Sequence, residues 1–321
     1  MSRPVIAVIG ATGAQGGGLV RAMLADPQRR FQPRALTRRP YSPAALALAK
    51  ADVELRGADL DDVEALATAF AGAHGVFALT NFWEHLSPGT ELAQAANIAA
   101  AAQRTGIKHV VWSTLEDTRQ FAPLDDPRMP TLMGRYKVPH FDAKGEANEY
   151  FTRLGVPTTF LYTSFYWDNL IHFGMGPQRD ASGNLMFTLP MDDRKLPGIA
   201  GADIGACAFG IFAEGTSLVG ARVGIAGEHL TGAEMADALT HAVGEPVRHF
   251  AMPPEQYAKL GFPGADDLAN MFQFKRDFNE AFCGLRSVER SRILNPGLMN
   301  FEQWLRRHRS ALPIPPRAHR A

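Results

Sequence analysis

Through the first half of the chain, short and mostly apolar runs take turns with segments whose apolar residues recur every three or four positions. The runs at 5–10, 32–38, 52–59, 75–81, 108–114 and 157–163 predict six strands. Segments 18–26, 43–51, 62–73, 89–106 and 141–155 predict the helices that separate them. Strands that are apolar at successive positions belong in a parallel sheet covered on both faces. With right-handed crossovers, the alternation predicts a doubly wound, Rossmann-type α/β fold.

After Ser113 the pattern loosens. Residues 115–136 are polar and contain Pro, which predicts a loop. Beyond 163, short strand-like pieces mix with Pro and Gly. A strand at 223–228 precedes Thr231-Gly232-Ala233-Glu234, a capping box that opens a helix. Asn300 reads as the N-cap of a closing helix, 300–309. The expected organisation is a nucleotide-binding domain over residues 1–165. A smaller C-terminal α/β lobe lies mainly in 166–321, with later segments returning to the first domain.

Composition narrows the partners. The 321 residues are 46% hydrophobic and 21% charged, which is globular composition. Lys+Arg and Asp+Glu are both 33, so nothing draws the chain generally to nucleic acid or to an anionic membrane. The Ala-rich stretch 92–103 is interrupted by Gln94, Asn97 and Gln103 and does not read as a membrane span. No signal-peptide pattern opens the sequence, so the expected location is the cytoplasm, as monomer or homodimer. Cys207 and Cys283 read as two buried thiols, and no metal-ligand spacing is present. Asp192-Asp193 and Asp266-Asp267 read as turn and helix-start residues, and the basic tail 306–321 as a solvated end.

The chemistry begins at the first turn. Gly10-Ala11-Thr12-Gly13-Ala14-Gln15-Gly16 is G-x-x-G-x-x-G between a predicted strand and helix. Glycines permit the tight turn and a close backbone approach to phosphate, and the helix start offers free N–H groups. The second strand ends in Thr37-Arg38-Arg39, where an NAD-selective site usually carries an acidic residue. Arginine there matches a 2′-phosphate, which points to NADP(H), with Arg38 the nearer of the two. Asp59 follows the third strand as a candidate for the adenine amino group, and Asp61 as the next N-cap. Thr80-Asn81-Phe82 ends the fourth strand, on the side where this fold binds ligands.

The segments GATGAQGG, TRRP, TNFWE and HFDAKGEANEYF resemble the NmrA-like family of atypical short-chain dehydrogenase/reductases. The later PPEQYAKLGFPGADDLANMFQF and LNPGLMNFEQWL extend the resemblance over nearly the whole chain. It implies NADP(H) bound across the strand ends by Gly10 through Gln15, Arg38 and its neighbours, Asp59, Leu60 and Thr80 to Phe82. It further implies contacts from Lys144 and from Tyr166-Trp167-Asp168-Asn169. Family members include transcriptional co-regulators, and relatives in the wider superfamily are reductases.

Active short-chain reductases use Tyr-x-x-x-Lys. Here Lys144 is preceded at four positions by His140, with Tyr136 four earlier still. If the helix already begins by His140, both side chains share a face. Ser113 and Thr114 end the fifth strand and can supply a hydroxyl. A complete cofactor turn beside a proton-transfer motif without its tyrosine predicts first a cofactor-sensing regulator with a protein partner and weak or no dehydrogenase activity. The alternative is an NADPH-dependent oxidoreductase for a quinone, enone or carbonyl, with His140, Tyr136 or water as proton source. A third is a scaffold whose cofactor is only structural.

Overall fold

The computed structural model describes residues 3–316. Six strands in the order of the predicted runs form the sheet: β1 (Val5–Ile9), β2 (Gln32–Thr37), β3 (Glu54–Gly57), β4 (Gly75–Ala78), β5 (His109–Thr114) and β6 (Thr158–Tyr162). Between them lie α1 (Ala14–Ala25), α2 (Pro43–Lys50), α3 (Val63–Phe70), α4 (Pro88–Arg104) and α5 (Pro139–Arg153). Two later strands, Arg222–Ile225 and Arg286–Ser287, join beyond β6, so the sheet has eight strands running parallel to their neighbours. The spatial order places β4 beside β1 and sends β2 and β3 the other way. That reversal opens a crevice above the carboxyl ends of β1 and β4.

Apolar side chains from both faces of the strands account for the buried run pattern. Ile6, Val8, Phe77 and Val111 pack on the side of α1, and Ala7, Val76, Val110 and Trp112 on the side of α3 and α4. The first side is closed by the helix Gly201–Glu214, which lies against α1. The approach is close because glycines face it. A Cβ on Gly18 would sit 2.3 Å from Ala202 O, and one on Gly205 2.1 Å from the Leu19 amide nitrogen.

The remaining chain builds a second layer over the mouth of the crevice. Two three-stranded sheets, the helix Ala265–Asp277 and the helix Phe301–His308 share a core of Phe187, Phe272, Phe301 and Trp304. Thr231 with Glu234 and Asn300 with Gln303 form capping boxes. The cap of α3 is Asp62, whose carboxylate accepts from the amides of Glu64 and Ala65, not Asp61 as the sequence suggested. Asp61 instead accepts from the Gln94 side chain, 3.1 Å away. The thiols also differ from expectation: Cys207 is buried, whereas Cys283 is only half-buried. Among the described residues no helix is long and apolar enough to cross a membrane. The last five residues of the basic tail lie outside the described residues.

Candidate cofactor and substrate site

Gly10 turns the chain out of β1 with φ +65°, the left-handed region that glycine adopts without strain. The Gly13 amide donates to Gly10 O at 2.8 Å and closes the turn. A Cβ on Gly16 would lie 2.4 Å from that same carbonyl, so only glycine allows α1 to start this close to β1. No side chain caps α1. Its first amides are left at the edge of a cavity lined by Gly13, Ala14, Gln15 and Gly16.

The cavity encloses about 1120 Å³. That exceeds the roughly 300–1,000 Å³ of a pocket for one drug-sized ligand. Gly10, Thr12, Arg38, Asp59, Leu60, Thr80, Asn81 and Phe82 line one end, Ser113, His140, Lys144, Tyr166 and Asn169 the middle. Other sequence candidates are placed elsewhere. Arg39 does not line the cavity, and Ala11 is buried in the core beneath the turn. Trp167 turns into the second layer against Phe301 and Trp304, with centroids 5.3 and 6.3 Å away. The Asp168 carboxylate accepts from the Gly201 amide at 2.7 Å and holds the start of that helix. Tyr136 is buried between the guanidinium groups of Arg119 and Arg135, 5.4 and 5.1 Å from its ring, and does not reach the cavity.

At the Arg38 end, Arg38 pairs with Glu84 at 2.7 Å, both partly exposed. Asn81 donates to the other oxygen of Glu84 at 3.1 Å. The Arg38 guanidinium is thus engaged by a carboxylate of the protein itself. Asp59 accepts from the Asp61 amide at 3.1 Å while facing the cavity.

In the middle, α5 begins at Pro139, so His140 and Lys144 do lie one turn apart on it. Lys144 Nζ donates to Thr80 O at 3.0 Å, Thr80 Oγ1 at 2.8 Å and Glu91 Oε1 at 2.5 Å. Three acceptors match its three N–H groups. Glu91 comes from α4 and is fully buried. His140 is 5% exposed; its Nδ1 meets Asp267 Oδ1 at 2.6 Å, and its backbone amide donates to Asp267 Oδ2 at 3.2 Å. The ring also packs on Trp83, centroids 4.9 Å apart. Ser113 Oγ donates to Gln15 Oε1 at 2.9 Å, and Gln15 Nε2 donates to the Tyr166 hydroxyl at 2.6 Å. Burial pushes the Tyr166 phenol up to about 12, which keeps it neutral.

The far end is apolar, with Met186, Leu189, Met252, Tyr257, Phe262 and Phe272 in its wall and one ammonium, Lys275. Sequence reading did not find Asp267 as a partner of His140, Glu91 beneath Lys144, or Lys275. Asp267 was read only as a helix-start residue, which it also is. Lys275 carried no local signal, since with Arg276 it forms the basic last turn of its helix, an ordinary placement for surface charge.

A parallel doubly wound sheet, with an uncapped glycine turn facing the crevice at its strand ends, defines a Rossmann-type α/β protein. Within that class, the chain belongs to the NmrA-like family, whose model matches residues 2–305. It is 26% identical over 297 residues to the NmrA-like family domain-containing oxidoreductase lnbB of Aspergillus flavus, covering 87% of this chain and 85% of that one. It is 27% identical to the nitrogen metabolite repression protein nmr of Neurospora crassa, over 69% of this chain and 45% of that one. Among solved structures, NmrA, a negative transcriptional regulator, in complex with NADP superposes with a TM-score of 0.76 at 25% identity, covering 95% of each chain. NmrA in complex with NAD gives 0.78 at 25% identity, again over 95% of each.

Proposed function

We propose that this chain is an NADPH-dependent oxidoreductase that reduces an apolar carbonyl, enone or quinone compound. The observation that carries the reading is the continuity of the cavity. One end has the glycine turn and Arg38, the other an apolar chamber, and His140 stands between them with Asp267 behind it.

The turn fits a dinucleotide, since the cradle at Gly16 is one that a Cβ would fill. The first-turn amides of α1 would hold the pyrophosphate, Arg38 the 2′-phosphate, and Asp59 the adenine end. Bound there, the nicotinamide supplies a hydride. Asp267 orients His140 through Nδ1, which turns Nε2 away from the carboxylate as the nitrogen that can pass a proton. Trp83 and Phe82 shield that ring from water. Lys144 has no free N–H, so it acts through Thr80 and Glu91 by fixing the end of β4. The support for the cofactor is this geometry together with NmrA, which forms complexes with both NAD and NADP.

A cofactor-sensing regulator, the first expectation from the sequence, is here the second reading. It is favoured by the engagement of Lys144 and of Arg38 with protein carboxylates rather than free donors. One experiment separates the two. NADPH consumption is followed with a panel of quinones, enones and aldehydes, alongside calorimetric titration with NADPH, NADP⁺ and NADH. Turnover on the order of several per second supports the oxidoreductase. Tight NADPH binding with no turnover across the panel rejects it in favour of the regulator.

A further inference from the structure

Lys275 sits in the cavity wall on the helix Ala265–Asp277 and is 3% exposed. Four phenylalanine rings surround its ammonium. Phe141 and Phe282 lie 5.4 Å from Nζ, Phe272 5.6 Å and Phe165 5.9 Å. Its one side-chain hydrogen bond among the described residues runs to Met271 Sδ, at 3.2 Å. A thioether is a weak acceptor, and an ammonium has three donors. Ring faces within about 6 Å favour the cation but accept no strong hydrogen bond. A buried cation thus stands beside an apolar chamber with donors left over.

The charged groups that act on it are Arg286 and Glu116, which pair with each other at 2.5 Å behind the Phe282 ring. Elsewhere along the cavity, Lys144 is joined to Glu91 and His140 to Asp267.

We propose that the chamber binds an apolar, planar compound bearing one acceptor oxygen, and that this oxygen docks on the ammonium of Lys275. The inference deepens the oxidoreductase reading and rests on it for its chemical use. In an enone or quinone, a hydride supplied by a bound nicotinamide would enter the conjugated carbon and the π pair would move to oxygen, where the Lys275 ammonium would meet it. The proton for that oxygen would come from His140 Nε2, which recovers one from water, while the Lys275 ammonium holds the oxygen and its developing charge; the oxidised cofactor would be left. A ligand oxygen supplies the strong acceptor that the Phe box lacks.

Burial, with Arg286 adding to it, lowers the Lys275 pKa to about 7. An anionic ligand therefore meets a cation below that pH and a neutral amine above it. The probe is 2-naphthoate, an aromatic carboxylate ionised throughout the range, with 2-naphthamide as its neutral counterpart. Calorimetry on the full chain is run from about pH 5.5 to 9. Naphthoate affinity should be level at acid pH and fall roughly tenfold per pH unit above neutrality, while the amide changes little. Lys275→Met should weaken naphthoate by about tenfold or more and remove the slope. A flat wild-type profile, or equal affinity in a folded Lys275→Met, overturns the proposal. Should the variant fail to fold, the wild-type slope still decides. Naphthoate binding with this slope but no NADPH turnover removes the oxidoreductase reading and keeps the site. Turnover without naphthoate binding does the reverse.

Discussion

His140 and Asp267 are 127 residues apart in the chain and joined in space, Nδ1 to Oδ1 at 2.6 Å. The carboxylate also takes the His140 amide, so it fixes ring and backbone together. Asp267→Asn should keep the packing but lose the charge that orients the imidazole. We expect a fall of about 10- to 100-fold in kcat with NADPH affinity unchanged, and partial recovery in Asp267→Glu. Steady-state kinetics beside calorimetry would read this. An equal loss of NADPH binding would point to a merely structural contact.

The Arg38–Glu84 pair predicts opposite effects from its two members. Arg38→Asp should weaken NADPH about 10- to 100-fold, the order of a charge-assisted hydrogen bond, and NADH far less. Glu84→Gln should tighten NADPH by removing the competing carboxylate. Titrations at low salt would show both most clearly. Equal losses for the two cofactors in Arg38→Asp would remove the 2′-phosphate assignment.

Removing the Lys144 ammonium leaves Glu91 buried without its cation. Lys144→Met should cost about 3–5 kcal/mol of stability, and adding Glu91→Leu should restore much of it. Denaturant melts of the single and double variants test this.

Gly16→Ala places a methyl group 2.4 Å from Gly10 O. The turn must open, and we expect about 1–3 kcal/mol of destabilisation with cofactor binding lost. A variant that binds NADPH normally would show that α1 can move away at little cost.

His109 gives a pH dependence whose sign follows from burial. Its pKa is lowered from 6.5 to about 4, chiefly because the ring is taken from water. The unfolded chain therefore binds a proton that the folded one refuses between those values. Stability is full above about pH 6.5 and falls as pH drops toward 4, by about 3 kcal/mol in all. His109→Gln should lose that part of the acid sensitivity, as thermal melts between those limits would show.

The sheet was legible because β1, β4 and β5 are apolar at successive positions, a pattern that little except a doubly covered strand produces. The glycine turn was legible because Gly10 and Gly16 act locally, through φ and a contact within the motif. Asp267 was not, since its partner lies on another helix and a carboxylate in a first helical turn already has a sufficient local explanation. Glu91 was hidden for the same reason, in the first turn of α4. Trp167 and Asp168 sit between Tyr166 and Asn169 in sequence, but the turn from strand to helix there sends these two consecutive side chains away from the cavity. Sequence proximity could not settle which way each faced.

Gly18 and Gly205 bring two helix backbones together across a seam drawn from distant parts of the chain. Excising residues 1–165 would strip α1 of that companion and uncover the apolar side of Leu19 and Val20. Such a fragment should be sticky and poorly ordered, so this part of the molecule cannot be borrowed as a stand-alone module.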